Sequence, residues 1–311
     1  MKEPLTPAKL ALISMIFCLL LVSALFAGCT QSTNSTPATT VATTVPPTTI
    51  ATTTTPAPTT VATTATPAPT YTSTEGNLVA YTAASLSGAS PTLGTSFTKA
   101  YPGHKVVFNL DGTQALKTQV ENGAYADVFI SASNTYTNTL KSENYFVNDS
   151  VKTLTTNYII VILPASNPGN IQSLADLAKP GKKIAMAAGT VPVGSATATV
   201  LNNTAKSTYG QAWKDSVISN VVTYETSEPA VATKVSLGEV DAGFVYQSTA
   251  TAAAPGTYQT VTIGKADNYL QTYTIAIMKG STNKAVAAEF EQFMLSDAGQ
   301  NILADYGFTS P

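Results

Sequence analysis

The sequence contains no arginine: all sixteen basic residues are lysine, set against eighteen acidic ones. Arginine is the side chain that recognises carboxylates and phosphates through paired hydrogen bonds, so an anion bound by this chain must be held by other donors. A formal net charge of −2 without a basic stripe disfavours a nucleic-acid partner. Cysteine is nearly as scarce. Cys18 and Cys29 are the two in 311 residues, which rules out disulfides and cysteine metal sites in everything that follows. The single histidine, His104, lies in the turn Tyr101-Pro-Gly-His104, and no Gly-x-Ser-x-Gly turn occurs. A nucleophile–base pair and a His/Cys cluster are both missing, so the chain reads as a non-enzyme that carries no cofactor.

Charge is also absent from Leu10 to Ala27, an apolar run preceded by Lys2 and Lys9 and closed by Gly28-Cys29. That is the layout of a signal peptide. Leu25-Phe-Ala-Gly-Cys29 resembles the lipobox of secreted lipoproteins, which implies lipidation of Cys29 and anchoring on the extracellular face of the cytoplasmic membrane. An uncleaved anchor is the alternative, because the run is just long enough to span a bilayer. Residues 30–75 are almost entirely Thr, Ala, Pro, Ser and Val. Such a segment has too little apolar bulk to offset its ordering entropy and reads as a tether, reaching on the order of 40 Å as a coil.

From Asn77 onward, short apolar runs alternate with helical patterns. Leu78–Tyr81, Val106–Phe108, Asp127–Ile130, Tyr158–Leu163, Ile184–Met186, Val221–Tyr224, Ala242–Tyr246 and Tyr273–Met278 predict buried, largely parallel strands. Ser173-Leu-Ala-Asp176 signals a helix start, and Val286, Phe290, Phe293 and Met294 share one helical face. The expected class is α/β, with mostly parallel sheets flanked by helices. A folded region of about 235 residues invites two lobes.

Three turns rich in glycine or hydroxyls follow predicted strands and open predicted helices: Ala83–Ser87, Asp111–Gln114 and Thr190–Ser195. Unpaired amides and the helix dipole make such ends natural anion sites, although the same residues are ordinary helix caps. The order of these segments resembles the molybdate-binding proteins of ABC importers. The resemblance is carried by Val79-Ala-Tyr-Thr-Ala-Ala-Ser-Leu86, the stretch from Gly112 to Ala132, Val191-Pro-Val-Gly194, Leu237-Gly-Glu-Val-Asp-Ala-Gly-Phe-Val-Tyr246 and Asp305-Tyr-Gly-Phe308. It implies a type II periplasmic-binding-protein fold with the ligand cleft between lobes. Lobe I would comprise residues 76–157 and 265–311 and lobe II residues 158–264, with hinges near Asn157 and Gly264.

The resemblance places Ser85 and Thr113 on hydroxyl donor positions, Val193 on a backbone donor position and Tyr246 on a tyrosine near the hinge. Glu228 matches a backbone-donor position, and also one of two carboxylates that in some archaeal relatives bond directly to the metal of molybdate or tungstate. The second such carboxylate would precede Pro192, where this chain has Val191. Asp111 is a substitute candidate. Simpler roles stand beside these: a core tyrosine for Tyr246, a first-turn acid stabilised by the helix dipole for Glu228, a cap for Asp111.

The implied function is capture of molybdate or tungstate by a monomer that delivers it to an ABC permease and its ATPase, with sulfate or phosphate as alternative ligands. A stalked adhesive surface protein is the competing class, suggested by the tether and by the sequons at Asn34, Asn148 and Asn202.

Overall fold

The computed structural model describes residues 76–311. The apolar run, Cys29 and the tether lie outside the described residues. Nine strands form one mixed sheet in the order β2-β1-β3-β9-β4-β7-β5-β6, with β8 also paired to β4. The strands are β1 (Asn77–Ala83), β2 (Lys105–Asp111), β3 (Val128–Ser131), β4 (Lys152–Pro164), β5 (Ile184–Ala187), β6 (Val221–Glu225), β7 (Ala242–Tyr246), β8 (Tyr258–Val261) and β9 (Leu270–Ile277).

Strands β1, β2 and β3 form one parallel group and β5, β6 and β7 another. The expectation of mostly parallel pairing holds within these groups. It fails between them, where β4 and β9 supply four antiparallel pairings. β4 explains the arrangement. Its residues up to Tyr158 pair with β9, and from Ile159 onward it pairs with β7 and β8. In doing so it runs past the end of β3 and meets the end of β7, so the C-terminal ends of the two parallel groups face each other.

One strand prediction needs extension and one strand is new. β4 starts six residues before the apolar run that announced it, in the polar stretch Lys152-Thr-Leu-Thr-Thr-Asn157, and β8 was not foreseen. Both stretches carry polar residues, three threonines in the first and Gln259 and Thr260 in the second, and take strand form because β9 and β4 offer them pairing partners, a tertiary effect that overrides local pattern.

The helices that matter for the site are α1 (Ser90–Ala100), α2 (Thr113–Glu121), α3 (Asn134–Ser142), α4 (Pro192–Thr204), α5 (Gln211–Ser219) and α6 (Glu228–Ser236). They are followed by α7 (Gln247–Ala252), α8 (Lys284–Leu295) and α9 (Asp297–Asp305). The Ser173 signal opens a 3-10 turn, Leu174–Ala178, whose start is held by Asp176 accepting the Ser173 N–H at 2.9 Å. The face predicted on α8 buries Phe290, Phe293 and Met294. Phe290 meets Phe97 of α1 edge to face at 5.1 Å, which packs the two helices against each other. On the other face, buried Asp127 accepts the N–H of Val79 at 2.8 Å and the hydroxyl of Ser281 at 2.6 Å, tying β1 and β3 to the segment after β9.

Candidate functional site

A small cavity of about 20 Å³ lies where the two sets of strand ends face each other. From the first group it is lined by Ala83 at the end of β1, Ala84 and Ser85 after it, Gly112 and Thr113 after β2, and Ala132 after β3. The second group contributes Val191, Pro192 and Val193 after β5, Glu228 after β6 and Tyr246 at the end of β7. This is the crevice outside the carboxyl ends of parallel strands, where ligands of α/β sheets bind. A larger depression bounded by Val120, Tyr125, Tyr145 and Met278 lies at the opposite ends of β1 and β3 and presents no helix start.

All five residues expected to bind an oxyanion, Ser85, Thr113, Val193, Glu228 and Tyr246, therefore border one space. Three α-helices, α2, α4 and α6, begin at it, and no lysine lines it. First-turn N–H groups lack acceptors within their own helix, and the helix dipole adds partial positive charge. Pro192 at the first position of α4 and Pro229 at the second of α6 fit a position that needs no N–H and preset the entering backbone. Gly194 allows the approach: a Cβ there would sit 2.1 Å from the Ala188 carbonyl oxygen.

Ser85 departs from the expected geometry. It sits in a 3-10 turn, Ala84–Leu86, while the α-helix begins at Ser90. Its Oγ is 2.8 Å from the hydroxyl of Tyr273, a fully buried β9 residue that sequence reasoning missed. Thr113 Oγ1 accepts the Ala132 N–H at 3.1 Å, which leaves its proton for another acceptor. The Tyr246 hydroxyl donates to Gln271 Oε1 at 3.3 Å, and its ring packs edge to face on Tyr273 at 5.9 Å. Burial pushes the Tyr246 and Tyr273 hydroxyls well above the usual tyrosine range, so both stay protonated.

Glu228 is 3% exposed. Its Oε1 accepts the Tyr246 N–H at 3.0 Å and the hydroxyl of Thr249, another residue the sequence did not point to, while Oε2 has no hydrogen-bond partner. Burial pushes the carboxyl up to about 7, against the opposing effect of those two hydrogen bonds. At neutral pH it is therefore about half neutral. Asp111 does not line the cavity, and its Oδ1 accepts the Gly112 N–H at 2.7 Å. Among the described residues no cluster of three or more His, Cys, Asp or Glu could hold a metal ion. The site offers neutral donors and one unpaired carboxyl oxygen, in a cavity of about 20 Å³, far smaller than the roughly 300–1,000 Å³ of pockets that take drug-sized ligands.

A family model described as bacterial extracellular solute-binding protein matches residues 78–309. The molybdate-binding protein ModA of Mycobacterium tuberculosis is 32% identical over 235 residues, covering 76% of this chain and 85% of that protein. Among solved structures, the periplasmic molybdate-binding protein of Azotobacter vinelandii aligns with a TM-score of 0.65 at 24% identity, over 75% of this chain and 99% of the other. The sulfate-binding protein SubI of M. tuberculosis aligns with a TM-score of 0.64 at 18% identity, over 75% of this chain and 86% of the other. These likenesses identify the fold as that of the two-lobed periplasmic binding proteins.

Proposed function

The chain belongs to the bacterial extracellular solute-binding protein family, and from that premise we propose that it is the substrate-binding protein of an ABC importer, capturing molybdate or tungstate for a membrane permease. It is not an enzyme. The observation that carries the ligand class is the cavity, in which helix starts and hydroxyls from two opposed strand groups converge on a space for one small anion without a cationic side chain. Neutral donors can hold a dianion because several charge-assisted hydrogen bonds share its charge. Molybdate is favoured over sulfate because the relative named for molybdate is 32% identical and the structure named for sulfate 18%.

Ser85 and Thr113 act as hydroxyl donors, Val193 through its backbone N–H, and Tyr246 as a wall whose hydroxyl must turn from Gln271 to donate to the ion from the hinge side. For Glu228, the geometry favours recognition of an intact tetrahedral ion over direct bonding to molybdenum or tungsten. Position 191 is valine and Asp111 faces away, so a second carboxylate for expanded coordination is missing. X-ray absorption of the complex reads the coordination number, and six-coordination would refute this role.

Lobe I is assigned to residues 76–157 and 265–311 and lobe II to residues 158–264, supported by the switch of β4 from β9 to β7 after Tyr158. Closure of the lobes on the ion creates the form that docks on the permease. Cys29 carries the lipid and residues 30–75 the tether, holding a monomer on the outer face of the cytoplasmic membrane. Isothermal titration with molybdate, tungstate, sulfate and phosphate tests the reading: submicromolar binding of the first two is expected, and no heat from any oxyanion refutes it.

A further inference from the structure

We propose that two hydrogen bonds across the mouth of the cavity form a clasp that biases the protein toward its closed form whether or not ligand is bound, which makes Tyr136 and Gln114 determinants of how long the ion is held. Tyr136, in the first turn of α3, donates its hydroxyl to the Thr190 carbonyl at 2.6 Å. Gln114, in the first turn of α2, donates Nε2 to the Thr226 carbonyl at 2.8 Å. Each bond starts on a helix following the β1–β3 group and ends on a turn following the β5–β7 group. Those turns carry the ligand-facing residues: Thr190 directly precedes Val191, and Thr226 stands two residues before Glu228.

Neither Tyr136 nor Gln114 lines the cavity, so they act on closure rather than on the ion. Room for one arm is built in, because a Cβ on Gly112 would fall 2.4 Å from Gln114 Nε2. Opening the cleft must break both bonds. Each neutral hydrogen bond therefore biases the open–closed equilibrium by about two- to tenfold, and apparent affinity scales with the closed fraction.

This proposal rests on the oxyanion-clamp reading, and the experiment separates the two. Tyr136→Phe, Gln114→Ala and the double variant are compared with the wild type by stopped-flow kinetics with molybdate and tungstate, and by small-angle X-ray scattering with and without molybdate. Dissociation should accelerate about two- to tenfold for each single change and by roughly the product for the pair, by the same factor for both ions. The ligand-free double variant should show a larger radius of gyration than the ligand-free wild type, while the molybdate-saturated forms superimpose. Unchanged dissociation in the double variant, or identical ligand-free scattering, overturns the clasp. If the wild type binds no oxyanion, the functional reading fails, and the ligand-free scattering comparison still decides the clasp.

Discussion

Glu228 concentrates the chemistry of the site at the scale of one residue. Its ordinary value of 4.5 rises to about 7 because burial penalises the charged form. Between those pH values the folded state binds more protons than the unfolded chain. Stability therefore falls as pH rises from 4.5 to 7, by at most about 3 kcal/mol, and levels off above. Urea unfolding across that range should show the slope, and Glu228→Gln should flatten it. The buried phenols of Tyr246 and Tyr273 and the partly buried Tyr258 also surround this carboxyl, and all three are held above their usual range, so none titrates in the same window. A dianion beside Oε2 favours the neutral carboxyl further. Molybdate affinity should thus fall as pH rises beyond 7, and Gln at 228 should keep binding while losing that dependence; an unchanged pH profile in the variant would contradict the assignment. Ser85→Ala combined with Thr113→Ala removes two donors to a charged ligand, each worth about 1.5–3 kcal/mol, so affinity should drop roughly a hundredfold or more. Calorimetry checks this, and retained affinity would remove these residues from the site.

Helix starts, as elements, do what arginine does elsewhere. α2, α4 and α6 follow β2, β5 and β6, so the parallel grouping aims their N-termini at one place. The approach of α4 depends on Gly194, whose added Cβ would also lie 2.5 Å from the Ala187 carbonyl oxygen. Gly194→Ala must lift the first turn of α4 off β5 and displace the Val193 N–H. We expect at least a tenfold loss of affinity, with a stability loss of about 1–3 kcal/mol from overpacking. Titration calorimetry and thermal unfolding of the same variant measure both. A variant that binds as the wild type would show that the α4 start is not a donor.

For the whole molecule, ligand and closure are linked. An ion that binds the closed form and not the unfolded chain stabilises it by about 2.7 kcal/mol at a hundredfold excess over Kd. Molybdate and tungstate should accordingly raise Tm in a concentration-dependent way, while chloride at the same ionic strength should not. Differential scanning calorimetry decides this, and an equal response to chloride would point to a nonspecific salt effect.

Much of this was legible in the chain before folding was considered. Alternating apolar runs announced eight of the strands, and the absence of arginine, with a single histidine and no thiol after Cys29, pointed the site toward neutral donors, because composition limits chemistry whatever the fold. Ser85, Thr113, Val193, Glu228 and Tyr246 could be named from turn residues at strand ends together with the family pattern. Other features had no local signal. Tyr273 reaches Ser85 across 188 residues, Thr249 is 21 residues from Glu228, and Ala132 lines the site through a backbone that any residue could supply. Asp111 and Thr113 look equally eligible in the sequence, and the direction each side chain takes from β2 and α2 separates them. The sequence by itself determined which donors were available and roughly where each helix would start. Tertiary structure decided that two strand groups face each other through β4, which residues meet there, and that Glu228 is buried enough to raise its carboxyl to about 7. Pairing register and desolvation depend on partners far away in the chain, and no local pattern encodes them.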